Sequence, residues 1–241
     1  MAATGQLPTN YRSTCTEVHR LATHVLARAR ADHGGRFGLR ATSSGIATPA
    51  FGDDDSVVRL AGTSMIVERQ TAQGAKCWVS NLERATLADA AAVAGVDLSV
   101  SFAPGNDAPP VGDPTIPLAI DQESMGIVLS WFALGAKILD AILPMTQDPT
   151  AIQLWPEHFD LGFACSTDQG TLNLGVSPGD AGHDAPYLYV GPWDQVRPGD
   201  ADYWNAPFGS LLTSEVVVGS ADPVGTGVDY FSQGLTLMGG D

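Results

Sequence analysis

Two series of short strand-like segments follow one another along the chain, and an amphipathic stretch precedes each series. The first stretch begins at Ser13 or Thr14 as the candidate cap and continues to about Asp32, with apolar residues at helical spacing. The second has Asp121 as its candidate cap, continues from Gln122 to Leu143 and stops before Pro144. This pattern predicts an α+β fold with mainly antiparallel sheet and helices packed on one face.

The strand candidates alternate apolar and other residues between turn signals. A helix follows each series, over Leu87–Val96 and from Pro223 to about Leu237, the latter behind Asp222 as a cap. Both halves thus have the order helix, strands, helix, and two related halves or a single continuous sheet remain open. The candidates are Arg36–Thr42, Val57–Ala61, Met65–Arg69, Lys76–Ser80, Ile152–Trp155, Phe159–Ser166, Thr171–Val176, Tyr187–Val190 and Leu211–Val218.

The segment from Ser99 to Pro117 is rich in Pro, Gly and Asp, which is typical of a linker or a long surface loop. We therefore predict an N-terminal α+β half at 11–98, a linker at 99–120 and a C-terminal α+β half at 121–241. A length of 241 residues allows one large domain or two small ones.

Charge excludes several classes of partner. The chain has 27 acidic and 12 basic residues and a formal net charge of −15, so it repels phosphate backbones and anionic lipid. We predict no nucleic-acid partner and no membrane partner, while the sequence leaves the oligomeric state open. From Ala151 onward Arg197 is the one basic residue, which suits either a surface that attracts cations or an acidic face that keeps the protein soluble.

Cysteine and histidine usage gives no strong motif. Cys15, Cys77 and Cys165 are far apart and form no CxxC pair, which disfavours a disulfide framework and a structural zinc site. His19 and His24 are five residues apart on the first helix, and we expect them to be surface residues rather than a metal pair. The chain shows no signal-peptide pattern, and the apolar helix carries Lys137 and Asp140, so a cytoplasmic location is expected.

Eleven of the eighteen aromatic residues follow Ala151, interleaved with acids, glycines and prolines. They lie in the segments WPEHFDL (155–161), SPGDAGHDAPYLYVGPW (177–193) and YWNAPFG (203–209). These segments resemble a family of uncharacterised actinobacterial proteins, and the likeness extends to residues 36–54. The resemblance implies relatives and no activity. Residues 36–68 are also faintly similar to the sterol-carrier-like domain of mycothiol-dependent maleylpyruvate isomerases, from which no activity is transferred.

A first hypothesis is a site for a divalent metal, the candidate cofactor. His158 and Asp160 are two residues apart and share a face on a strand, while Asp180 and His183 lie in one loop. Two imidazoles with carboxylates suit Zn, Mn or Fe, and the metal could activate water for hydrolysis. The alternative is that His158 pairs with a carboxylate and that Asp180 caps a turn.

A second hypothesis is a binding module for a small molecule, without chemistry. Aromatic residues would line a cleft and carboxylates would orient a polar or cationic ligand. The alternative is that the rings anchor the core and the loops. The candidate ligand-binding residues are Trp155, Asp160, Asp180, Tyr187, Tyr189, Trp193, Tyr203, Trp204 and Asn205.

A third hypothesis is nucleophilic chemistry with Ser177 as nucleophile, His183 as base and Asp160 or Asp184 orienting it. The GVSPG segment is superficially similar to a nucleophile elbow, but Pro178 follows the serine and the elbow requires a strand leading into a helix. Whether the protein is an enzyme therefore stays open from the sequence.

Overall fold

The computed structural model describes residues 6–239. Two five-stranded antiparallel sheets, each with helices before and after it, form the fold. The predicted α+β class is therefore confirmed.

The first helix is continuous but not uniform. It consists of α1 (Tyr11–Leu21), a π-helical segment (Ala22–Ala27) and α2 (Arg28–Ala31). The predicted cap was wrong: the helix begins at Tyr11 behind Asn10, and the Ser13 hydroxyl donates back to the Asn10 carbonyl oxygen at 3.0 Å. A π-helical turn bonds residue i to i+5, so it changes which side chains share a face.

The first sheet is a simple meander in the order β1-β2-β3-β4-β5. The strands are β1 (Arg40–Thr42), β2 (Gly45–Ala47), β3 (Val57–Ala61), β4 (Ser64–Thr71) and β5 (Gly74–Asn81). Alternate residues of β3 and β4 are buried, as expected of a sheet with one face on a core. Helix α3 (Leu87–Ala94) follows, where Thr86 and Asp89 form a reciprocal capping box.

The second half begins with α4 (Gln122–Ile142) and a 3₁₀ turn (Leu143–Met145). Asp121 caps α4 as predicted, because its Oδ2 accepts from the Ser124 N–H at 2.8 Å. The span Gln122–Met145 is long and apolar enough to cross a membrane by length and composition alone, which a core helix also satisfies. Val128, Phe132 and Leu139 are fully buried, which fits a core helix.

The second sheet has the order β10-β9-β8-β7-β6. Helices α5 (Ser214–Gly219) and α6 (Pro223–Leu237) follow it, and Asp222 caps α6 as predicted. The predicted strand Leu211–Val218 was wrong in its second part: its β-branched run favours a strand, but Val217 is buried from a helical turn instead. The strands are β6 (Gln153–Trp155), β7 (Asp160–Thr167), β8 (Gly170–Ser177), β9 (Tyr187–Pro192) and β10 (Ser210–Thr213).

By its contacts the chain divides into two units. The N-terminal unit comprises residues 7–130 and 154–159, and the C-terminal unit comprises residues 131–153 and 160–239. Residues 99–120, predicted to be a linker, belong to the N-terminal unit and are loop apart from an isolated bridge between Thr86 and Pro117. Whether the three predicted segments are independent folding units stays a prediction.

Candidate functional site

In the C-terminal unit, Asp160 and Asp180, the two carboxylates predicted to bind a ligand, accept hydrogen bonds from tyrosine hydroxyls. The Tyr187 hydroxyl donates to Asp180 Oδ2, and the Tyr189 hydroxyl donates to Asp160 Oδ2. Asp180 Oδ1 also accepts from the backbone N–H groups of Gly182 at 2.6 Å and His183 at 2.9 Å. Burial raises the pKa of both tyrosines, so both stay protonated and act as donors.

The Tyr189 ring lies against a pair of glycines in the sheet. Gly175 is directly opposite Tyr189 in the β8–β9 register and opposite Gly162 in the β7–β8 register. A side chain at Gly175 would overlap the ring of Tyr189, so the glycines leave the space that the ring fills. This arrangement indicates that Tyr189 covers the sheet as part of its packing.

The other predicted aromatic residues are bonded locally or exposed. The buried Tyr203 hydroxyl donates to the Tyr230 carbonyl oxygen at 3.0 Å, and Trp204 Nε1 donates to the Pro198 carbonyl oxygen at 2.8 Å. Trp193 is 67% exposed and donates from Nε1 to Asn173 Oδ1 at 2.9 Å, while Trp155 is 39% exposed in the N-terminal unit.

Asn205 closes a turn within the C-terminal unit. Its amide nitrogen donates to the Leu211 carbonyl oxygen at 3.1 Å, and its Oδ1 accepts from the Leu211 N–H at 2.9 Å. Most polar groups of the residues predicted to line a cleft therefore form hydrogen bonds within the fold.

The residues of the metal hypothesis do not form a recognisable centre. His158 belongs to the N-terminal unit, where its Nδ1 lies 3.3 Å from Asp107 Oδ2, while Asp160, Asp180 and His183 belong to the C-terminal unit. Within residues 6–239 no group of three or more His, Cys, Asp or Glu side chains could hold a metal ion. Ser177 Oγ accepts from the Gly179 N–H at 3.1 Å. Metal binding and nucleophilic chemistry stay predictions.

In the N-terminal unit, side chains of the first helix donate hydrogen bonds to the backbone of a long loop. Arg20, His24 and Arg28 lie at i, i+4 and i+8, and all three side chains donate to this loop although the π-helical segment interrupts the regular α-helical spacing between them. Arg20 Nη2 donates to the Val111 carbonyl oxygen, His24 Nε2 to that of Pro109 at 2.6 Å and Arg28 Nη1 to that of Val100 at 3.1 Å. We call residues 97–111 the strapped loop.

The same helix makes a second attachment, through His19 of α1 and Thr23 of the π-helical segment. His19 Nε2 and Thr23 Oγ1 both donate to the Pro156 carbonyl oxygen, at 2.8 and 2.7 Å. The His19 ring also stacks on Phe159 with 5.0 Å between ring centroids. The expectation that His19 and His24 are surface residues was therefore wrong, since His24 is 4% exposed and His19 is half-buried. The strapped loop packs against His24, and the segment with Pro156 and Phe159 packs against His19.

These contacts explain the protonation of the two histidines. Burial lowers the pKa of His19 to about 4, and the hydrogen bond to Pro156 opposes that shift only in part. Burial also lowers the pKa of His24, and the charges of Arg20 and Arg28 add to the effect. Both imidazoles are neutral near pH 7 and donate from Nε2.

The strapped loop and the helix line a half-open cavity of about 500 Å³. His24 and Arg28 line it from the helix, and the loop contributes Asp97, Phe102 and Asn106 among its lining residues. A volume of this size lies within the range of small-molecule sites, roughly 300–1,000 Å³. The cavity is therefore a candidate site on geometric grounds.

Arg28 is the distinctive group of this cavity. It is 8% exposed, its Nε donates to Asp32 Oδ1 at 2.6 Å, and its guanidinium lies 5.3 Å from the centre of the Phe102 ring. Within the described chain its Nη2 donates no hydrogen bond. A buried guanidinium with an uncommitted nitrogen on a cavity can take an acceptor group from a ligand.

This cavity was not predicted from the sequence, although one signal was present. The pattern Arg-x3-His-x3-Arg places three donors on one side of a helix, and a Pro-rich segment elsewhere offers carbonyl oxygens without N–H groups. No family model, curated protein or solved structure matches this chain. Membership of the actinobacterial family stays a prediction, and the cavity is argued from its own residues.

Proposed function

We propose that this protein is a cytoplasmic binding protein for a small polar molecule, with its site in the cavity between the first helix and the strapped loop. The observation that carries the proposal is a buried arginine, Arg28, with an uncommitted Nη2 on a cavity of about 500 Å³. Asp32 already pairs with the charge of Arg28, and a ligand with an acceptor group would give the remaining donor, Nη2, a partner.

The proposal reassigns the polar-aromatic residues of the C-terminal unit to structure. Asp160, Asp180, Tyr203 and Asn205 each have a hydrogen-bonding partner within that unit. A ligand there would have to displace existing hydrogen bonds. A ligand in the cavity could instead accept from Arg28 Nη2, which has no acceptor within residues 6–239.

The test is a binding screen with a variant that fills the cavity. Ala108 lines the cavity, so Ala108→Trp would occupy part of its volume, while the exposed Ala201→Trp adds the same side chain in the C-terminal unit. A panel of small carboxylates, phosphates, amines and neutral polar compounds would be screened by ligand-observed NMR against the three proteins.

We expect compounds that bind the wild type and Ala201→Trp but lose binding to Ala108→Trp. Near-UV circular dichroism establishes that each variant is folded. Binding that persists unchanged in folded Ala108→Trp, or a panel that yields no binder of the wild type, would overturn the proposal.

A further inference from the structure

We propose that the ligand of this cavity carries a single carboxylate group and that Arg28 binds it, an inference that rests on the proposed function. The first step is the geometry of the guanidinium. Nε is bonded to Asp32 and one N–H of Nη1 to Val100, which leaves the two N–H groups of Nη2 and one of Nη1. Those two nitrogens form the fork that matches the two oxygens of a carboxylate.

The second step concerns the backbone of the strapped loop. Its carbonyl oxygens at Val100, Pro109 and Val111 accept from the helix side chains. In contrast, the N–H groups of Phe102 and Asn106 donate to no residue within 6–239. Other lining residues, such as Leu98 and Ser101, have carbonyl oxygens that accept no hydrogen bond from residues 6–239, so the preference for a ligand group that accepts comes from the Arg28 guanidinium.

The third step is the distribution of charge. Ten of the twelve basic residues precede Trp131, so the cations of this acidic chain are concentrated in the N-terminal unit. Asp97 nevertheless lines the cavity as well, with its Oδ1 held by the Ser99 N–H at 2.9 Å and the Ser99 hydroxyl at 2.7 Å. A second negative charge on the ligand would be repelled, which favours a monoanionic carboxylate over a phosphate.

The fourth step is the apolar part of the lining. Phe102 lies beside the Arg28 guanidinium, and Leu98 and Ala103 also contribute to the wall. A ligand with a carboxylate at one end and a compact apolar body would satisfy both the guanidinium and this wall. Benzoate has this chemistry, and benzamide has the same shape without the charge.

The experiment compares benzoate, benzamide and phenyl phosphate by titration calorimetry against wild type, Arg28→Gln, Arg28→Lys and Arg30→Gln. Arg30 is the matched control, because it lies on the same helix, donates from Nη1 to the Gly38 carbonyl oxygen and does not line the cavity. We expect benzoate to bind the wild type and Arg30→Gln at least about tenfold more tightly than benzamide, with phenyl phosphate weaker than benzoate.

Arg28→Gln should abolish the preference for benzoate over benzamide. If Arg28→Gln fails to fold, Arg28→Lys decides: it keeps the charge but lacks the fork, so we expect the preference to fall by about tenfold. Equal binding of benzoate and benzamide, both blocked by Ala108→Trp, would overturn the carboxylate inference while leaving the proposed function intact. The inference would also be overturned by a preference for benzoate that survives in folded Arg28→Gln, by one that is undiminished in folded Arg28→Lys, or by tighter binding of phenyl phosphate.

Discussion

Replacing His19 with glutamine should weaken the acid sensitivity of the fold. In the folded protein burial holds the pKa of His19 at about 4, whereas the ordinary histidine pKa is 6.5. Between these values the unfolded chain binds a proton that the folded chain does not, so acidification favours unfolding. The contribution of His19 is therefore fully present above pH 6.5 and is lost as the pH falls toward 4.

The two pKa values set the size of the effect. Relative to neutral pH, the native state loses about 1.4 kcal/mol at a pH of about 5.5 and about 2.5 kcal/mol at a pH of about 4.5. Glutamine can still donate an N–H to the Pro156 carbonyl oxygen but does not titrate. Its loss of stacking on Phe159 costs the same at every pH and cancels from the comparison.

The assay is urea unfolding from about pH 7.5 to about pH 4.5 for wild type, His19→Gln and the control His33→Gln, in which the replaced histidine is exposed. Hydrogen bonds lower the pKa of several carboxyls, including Asp89, Asp113 and Asp121, and these destabilise all three proteins equally on acidification. We expect His19→Gln to lose less stability than the other two. If it loses as much as wild type, the reasoning from burial of this imidazole is wrong.

Three further predictions test the rest of the structure. Gly175→Ala should destabilise the fold by about 2 kcal/mol because its methyl group would overlap the Tyr189 ring, while Gly191→Ala, whose nearest neighbouring atom would be 3.8 Å away, should be nearly neutral in thermal unfolding. Thr86→Ala removes the cap of α3 and should cost about 1 kcal/mol in urea unfolding, whereas the exposed Thr16→Ala should change stability by less than about 0.5 kcal/mol. Elemental analysis of the purified protein should find no stoichiometric metal, since no suitable group of ligands occurs within residues 6–239; metal that is lost in a His158→Ala, His183→Ala double variant would contradict this.

Sequence patterns located most elements because those patterns are local. The apolar spacing of the first helix and the Asp121 and Asp222 caps depend on residues within a few positions of one another. Two elements, β2 and α5, were not predicted because their local sequence is uninformative or misleading. The three-residue β2 is too short to show alternation, and the valines after Ser214 have strand propensity but occupy a helical turn.

The candidate site could not be located in this way. The sequence directed attention to the aromatic residues of the C-terminal half, where composition is unusual, but most of their polar groups are paired with partners that spacing does not reveal. Tyr189 reaches Asp160 across 29 positions, for example. A polar residue that is paired inside the fold and one that faces a cavity look the same in a sequence.

The sequence by itself determined the α+β class, the order of most helices and strands, and the acidic charge that disfavours nucleic acid, because each depends on composition or on short-range periodicity. Only the tertiary structure decided which groups remain available to a ligand. Arg20, His24 and Arg28 meet their carbonyl partners across 91, 85 and 72 positions, so the cavity exists only once the strapped loop has closed over the helix. Closing it buries the His24 imidazole and the Arg28 guanidinium, and that burial, rather than the identity of the residues alone, sets the properties of the proposed site.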